Sequence, residues 1–299
     1  MMKAMILILV VPFLVGCATV TQVATTVGVG TGVVTRGQKK MIDQTAIKAE
    51  KAARPITETE EYYIGRGVAA RILSQYNLYN HPETIWYVNH IGKTLAINSA
   101  RPYTYGRYHF AVLDTDEINA FACPGGIVFI TRGMLNLVQN EDELAAVLAH
   151  EIGHVTQKHG LKAISKARWT QVVTTLGMEA AREYTGAQLD SLINLFEGTI
   201  DDVFQTLVVR GYGRADEYEA DKLAIACLEA SGYDTMEFQN LLRILEAAQS
   251  QGSGGIFSTH PNIMDRIAKV KKGLKVAGGS PLPPERIARF KRIARYWEK

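Results

Sequence analysis

Two histidines and a glutamate interrupt the apolar helical pattern of "ELAAVLAHEIGHVTQKHG", residues 143–160. A core helix wants aliphatic residues at such places, and each buried polar group left unpartnered costs about 1–3 kcal/mol. His150 and His154 are four apart, so they share one helical face. Two imidazoles on one face can hold a single metal ion. Glu151, on the neighbouring rim, can then take a proton from a water that the ion polarises. Such a pair still needs a third protein ligand. Downstream, "GRADEYEADKLA" (213–224) sets Glu217 and Asp221 four apart, again on one face. Glu217 is the expected third ligand in a His–His–Glu scheme, with one Zn2+ per chain. Asp221 is expected to accept a hydrogen bond from a ligand imidazole and fix its orientation. Glu219 points away from that face. His159 lies five residues past His154, also off the face, and the three-histidine scheme would need its last ligand at 160, which is Gly160.

The elements that must position these groups are legible in outline. Asn140 is a good N-cap for the helix carrying His150, with Glu143 placed to close a capping box. Glu141 and Asp142 put negative charge at the positive end of its dipole. Residues 56–100 predict two helices broken near "NHPE" (80–83). "YHFAVLD" (108–114), "NAFACP" (119–124) and "GGIVFITRG" (125–133) are short, β-branched or aromatic, and bounded by turn residues, which predicts a small meander of strands. Helices dominate from Met134 onward. A few strands among many helices predicts an α+β fold, and no internal repeat is evident.

"HEIGH" followed by "EYEADKLA" resembles the M48 peptidases, a family of prenyl-protein endopeptidases and bacterial membrane quality-control proteases. Two further segments are similar to family motifs: "NAFACPGG" (119–126) and "STHPNIMDRI" (258–267). The resemblance covers about residues 56–275. It implies a mainly helical zincin-type peptidase domain with a small β-sheet whose edge strand borders the active-site cleft. In such a domain Asn119, Ala120, Phe121 and Ala122 would align an extended substrate, and His260 would come near the zinc. His260 then has three readings: a donor to the oxyanion, an inhibitory fourth zinc ligand, or a structural residue. Many relatives carry transmembrane helices between the two motifs. Here that interval, "LINLFEGTIDDVFQTLVV", contains Glu197, Asp201 and Asp202, and reads as an amphipathic insert.

The expected activity is a zinc endopeptidase with Glu151 as general base, its substrates unfolded or damaged envelope proteins. A lipid-anchored periplasmic chaperone or assembly factor with little proteolysis is the alternative, against which stands Glu151, of no use to a pure binder. A zinc amidase acting on cell-wall peptides shares the chemistry, but the substrate-aligning segment favours proteins.

The N-terminus "MMKAMILILVVPFLVGCATV" combines Lys3, a short apolar run and "LVGC", which resembles the lipobox of bacterial lipoproteins. Residues 1–16 are then a signal peptide and Cys17 the lipidated residue. Ala18 after the cysteine favours the periplasmic face of the outer membrane. Residues 17–50, rich in Thr, Val and Gly, read as a flexible tether, residues 51–275 as the peptidase domain, and 276–299 as a basic helix. In that helix Arg286, Arg289, Arg292 and Arg295 form either a solvated face, with Ile287, Phe290 and Ile293 or Ala294 packed inward, or a contact with anionic lipid. No later stretch approaches the ~18 apolar residues that a membrane-spanning helix needs. The net charge is +3 over 299 residues, which argues against a nucleic-acid partner. Protein partners are not named by the sequence. Cys123 and Cys227 could pair or stay as buried thiols.

Overall fold

Thr57 starts the first helix of the main body: its hydroxyl accepts from the Glu60 amide while the Glu60 carboxylate accepts from the Thr57 amide. The computed structural model describes residues 29–30, 35–40, 43, 55–164, 186–249, 255–273 and 282–297. They fall into two units, Met1–Pro55 with Lys166–Leu195, and Ile56–Ser165 with Phe196–Lys299. In the first unit, Thr35 and Gln38 exchange the hydrogen bonds of a capping box and residues 36–40 are helical. That T-x-x-Q signal accounts for the local helix, and the rest of residues 17–50, apart from 29–30 and 43, lies outside the described residues. Cys17 and the signal peptide lie outside the described residues.

In the second unit α1 (Glu58–Leu73) and α2 (Pro82–Ile97) precede three strands. These are β1 (His109–Leu113), β2 (Ala120–Cys123) and β3 (Ile127–Thr131). The sheet is mixed, in the order β1-β3-β2, with β1 parallel and β2 antiparallel to β3. The expected meander is therefore wrong. The turn Pro124–Gly126, with Gly125 and Gly126 at φ of 76° and 99°, returns β3 between its two predecessors. The strand richest in β-branched residues thus takes the centre, where both edges are paired. β2 does lie at a sheet edge, yet all four of its residues are buried, with the π-helical turn Gln205–Arg210 packed on it.

α3 (Arg132–Leu137) leads into α4 (Glu141–Thr156), whose N-cap Asn140 accepts from the Glu143 amide. The Glu143 carboxylate reaches one residue further than expected, to the amide of Gln139 at 2.6 Å. α5 (His159–Lys162) follows. α6 (Gly186–Phe204) holds most of the insert, and no helix among the described residues is long and apolar enough to cross a membrane. Then come α7 (Arg214–Ala230), α8 (Met236–Gln249), α9 (Ile256–Thr259), α10 (Ile263–Gly273) and α11 (Pro284–Ala294). α4 is buried along almost its whole length, against α2, α7, α8 and β2.

α11 packs inward through the residues its pattern places there, except Ile287, which is exposed; Arg292 and Arg295 face solvent, whereas Arg286 and Arg289 are engaged. Phe290, Ile293 and Ala294 are buried, and Trp297 beyond them is too. Arg289 forks onto the buried Glu141 carboxylate, 2.7 Å from Nε to Oε2, and Arg286 Nη1 lies 2.7 Å from Asp142 Oδ1. Two carboxylates buried in the first turn of α4 need counter-charges, and these arginines supply them. Cys123 and Cys227 are both buried and free.

Candidate metal centre

α4 and α7 cross at Gly153, where a Cβ would meet the Ala220 carbonyl at 2.9 Å. That close approach lets the histidines of one helix face the glutamate of the other. His150 Nε2 lies 3.1 Å from His154 Nε2 and 3.6 Å from Glu217 Oε2, and His154 Nε2 lies 3.4 Å from Glu217 Oε1. His260, just past α9, adds its Nδ1 at 3.2 Å from His150 Nε2 and 3.1 Å from Glu217 Oε1. A tetrahedral ion with bonds of ~2.0–2.1 Å holds its ligand atoms about 3.3–3.4 Å apart. The donors are thus spaced as ligands of one ion would be. Three imidazole nitrogens and a carboxylate converging in a buried site need a cation among them, so the residues fit a metal ion.

His150, His154 and Glu217 are each braced from behind. Asp221 Oδ1 sits 3.0 Å from His150 Nδ1, the place expected of an acceptor that fixes the ring. Arg266 grips Asp221 with two hydrogen bonds of 2.6 and 2.9 Å, and its Nη1 lies 2.8 Å from Glu217 Oε2. Tyr212 stacks on His154 with ring centroids 4.0 Å apart and planes 14° off parallel. His159 Nδ1 is 2.8 Å from His154 Nδ1, and His159 Nε2 is 3.1 Å from Glu219 Oε2. His159 and Glu219 therefore stay out of the ligand cluster, yet both stand in the file behind it.

Arg266, Tyr212 and His159 escaped the sequence reading. For Arg266 a signal existed: two acids buried four apart on one helix require a cation, and "STHPNIMDRI" carries one. Asn119 has a structural contact besides. Its buried side chain accepts from the Ala120 amide and from the Thr259 hydroxyl, tying the start of β2 to the loop of His260. Ala120, Phe121 and Ala122 lie in β2 beside α4, wholly buried.

Glu151 differs from its neighbours. It is 1% exposed, and neither carboxylate oxygen has a hydrogen-bond partner; His260 Nε2 is 3.7 Å from Oε1. Burial pushes its pKa above the ordinary 4.5, with His260 and His150 opposing. Burial also favours the neutral carboxyl of Glu217, but His260, Arg266 and the other histidines hold its pKa well below the usual range. Burial and Arg266 oppose charge on His150, yet Asp221 and Glu217 push it up to about 9, while burial keeps His154 well below 6.5. The site thus keeps Glu217 and Asp221 as anions facing the ring nitrogens, and gives Glu151 an affinity for a proton.

A family model, that of Peptidase family M48, matches residues 82–273. The chain is similar to the beta-barrel assembly-enhancing protease of Escherichia coli (strain K12), 29% identical over 214 residues, 71% of this chain and 43% of the relative. It is 29% identical over 199 residues to the mitochondrial metalloendopeptidase OMA1 of Schizosaccharomyces pombe, 66% of this chain and 55% of the relative. The metalloprotease YcaL of Escherichia coli (strain K12) is 28% identical over 170 residues, 54% of this chain and 63% of the relative. The chain spans less than half the length of the assembly-enhancing protease that it matches.

Proposed function

The chain belongs to peptidase family M48, and from that premise and the geometry we propose a zinc-dependent endopeptidase, lipid-anchored in the bacterial envelope, acting on misfolded or unassembled envelope proteins. The observation that carries the reading is Glu151. A buried carboxylate without a protein hydrogen-bond partner is costly to hold in the fold, which points to a use in the reaction. The name of the beta-barrel assembly-enhancing relative supports an envelope site of action.

His150, His154 and Glu217 would hold the ion, and nitrogen-rich, tetrahedrally spaced donors favour zinc. The ion would supply Lewis-acid polarisation of a carbonyl and a lowered pKa for a water. Glu151 takes the proton from the attacking water and delivers it to the leaving amine, which its raised proton affinity suits. Asp221 and Arg266 keep His150 oriented, and Tyr212 keeps the His154 ring from turning.

Glu151→Gln is expected to retain zinc and fold while abolishing casein hydrolysis. Hydrolysis at the wild-type rate would end the general-base assignment.

For His260 the geometry favours the inhibitory reading. Its Nδ1 stands at ligand spacing from both His150 and Glu217, which supports a latent form with the fourth position filled. His260→Ala should then raise peptidase activity. A fall of about 10²–10³ in kcat would instead make it the oxyanion donor.

A further inference from the structure

Immediately after α4 the chain does something costly. Lys158 adopts a left-handed conformation, φ 54° and ψ 34°, which disfavours any residue with a side chain by about 1–2 kcal/mol. Its ammonium is held 2.9 Å from the buried Glu61 carboxylate. The reversal folds His159 back under the helix it has just left, 1% exposed, with Nδ1 2.8 Å from His154 Nδ1.

A histidine that ligates through Nε2 carries its proton on Nδ1. His154 must then donate to His159 Nδ1, which accepts only if the His159 proton sits on Nε2. There it faces Glu219 Oε2 at 3.1 Å and Asp216 Oδ1 at 3.4 Å. Lys162 Nζ, 2.7 Å from Asp216 Oδ1, secures that acid. We propose that His159 is a positioning residue for the metal centre, the acceptor that fixes the tautomer and orientation of His154, set in place by the Asp216–Glu219–Lys162 cluster.

His159, Asp216 and Glu219 could also be read as a second cation site. The proton arithmetic opposes it. A metal on His159 Nε2 would move the proton to Nδ1 and set two N–H groups against each other at 2.8 Å, and the Lys162 ammonium is already ion-paired with both acids.

The inference rests on the proposed ion site. Wild type, His159→Asn and His159→Phe are compared for zinc affinity by chelator competition, for the visible spectrum after cobalt substitution, and for the thermal midpoint of the ion-free protein. His159→Phe should bind zinc about 10–100-fold more weakly, with displaced cobalt bands. His159→Asn, whose Oδ1 can accept where Nδ1 did, should recover most of the affinity, although both variants have similar ion-free midpoints. Wild-type affinity in His159→Phe would overturn the proposal, as would equal losses in both variants, which would leave only packing. A second zinc equivalent in wild type, absent from both variants, would overturn it in favour of the cation site. Wild type that takes up no zinc would instead strike down the underlying centre, a result separable from these.

Discussion

Glu217 and Glu219 stand two residues apart, about 200° around a helix, and their carboxylates face different histidines. Glu217→Ala removes a member of the ligand cluster and should abolish tight zinc binding. Glu219→Ala should leave it nearly unchanged, because Asp216 remains 3.4 Å from the same His159 nitrogen. Asp221→Ala should fall between, losing about 10–100-fold, since His150 keeps its place in the cluster but loses its orienting acceptor. Chelator competition on the three variants measures this order, and a larger loss for Glu219 than for Glu217 would refute the ligand assignment. At this scale the sequence was informative where spacing equals helical period. His150 with His154, and Glu217 with Asp221, are readable because four residues return to one face. Arg266, Tyr212 and His159 were not, because nothing local says which distant side chain will brace a ring. His159 was hidden further by Lys158, whose left-handed turn breaks the helical register on which spacing arguments depend.

Elements were legible as segments and less so as neighbours. The helices on either side of "NHPE" and the three strands lie close to where periodicity predicts them, but the strand order depended on a two-glycine turn redirecting the chain. The N-terminus of α4 carries a charge cost that can be tested. Burial raises Glu143 to about 7, with the Gln139 amide opposing and the nearby Glu237 adding to the rise. A carboxyl whose folded pKa exceeds its ordinary 4.5 contributes its full stability below that value, and loses it as pH rises towards 7. Glu143→Gln is neutral throughout, and its carbonyl can still accept from Gln139. The substitution should therefore raise the thermal midpoint at pH 8 relative to wild type, and have little effect at pH 4.5. Thermal unfolding at the two pH values decides it, and an equal effect at both would refute the buried-charge account.

For the molecule as a whole, the proposed anchor at Cys17 is the remaining test of place. Cys17→Ser should leave unprocessed precursor retained by its apolar leader, whereas a form beginning at Ala18 behind a cleavable signal should fractionate away from membranes. If that form stays with membranes after a high-salt wash, the anchor lies elsewhere in the fold. The clasp of α11 on α4 also orders events in time. Glu141 and Arg289 are 148 positions apart, so a chain emerging N-terminus first exposes the two acids of α4 well before their arginines exist. Until then the helix bearing His150 and Glu151 begins with buried-to-be carboxylates that favour staying in water. Synthesis thus places the making of His150 and Glu151 ahead of the contacts that fix the start of their helix.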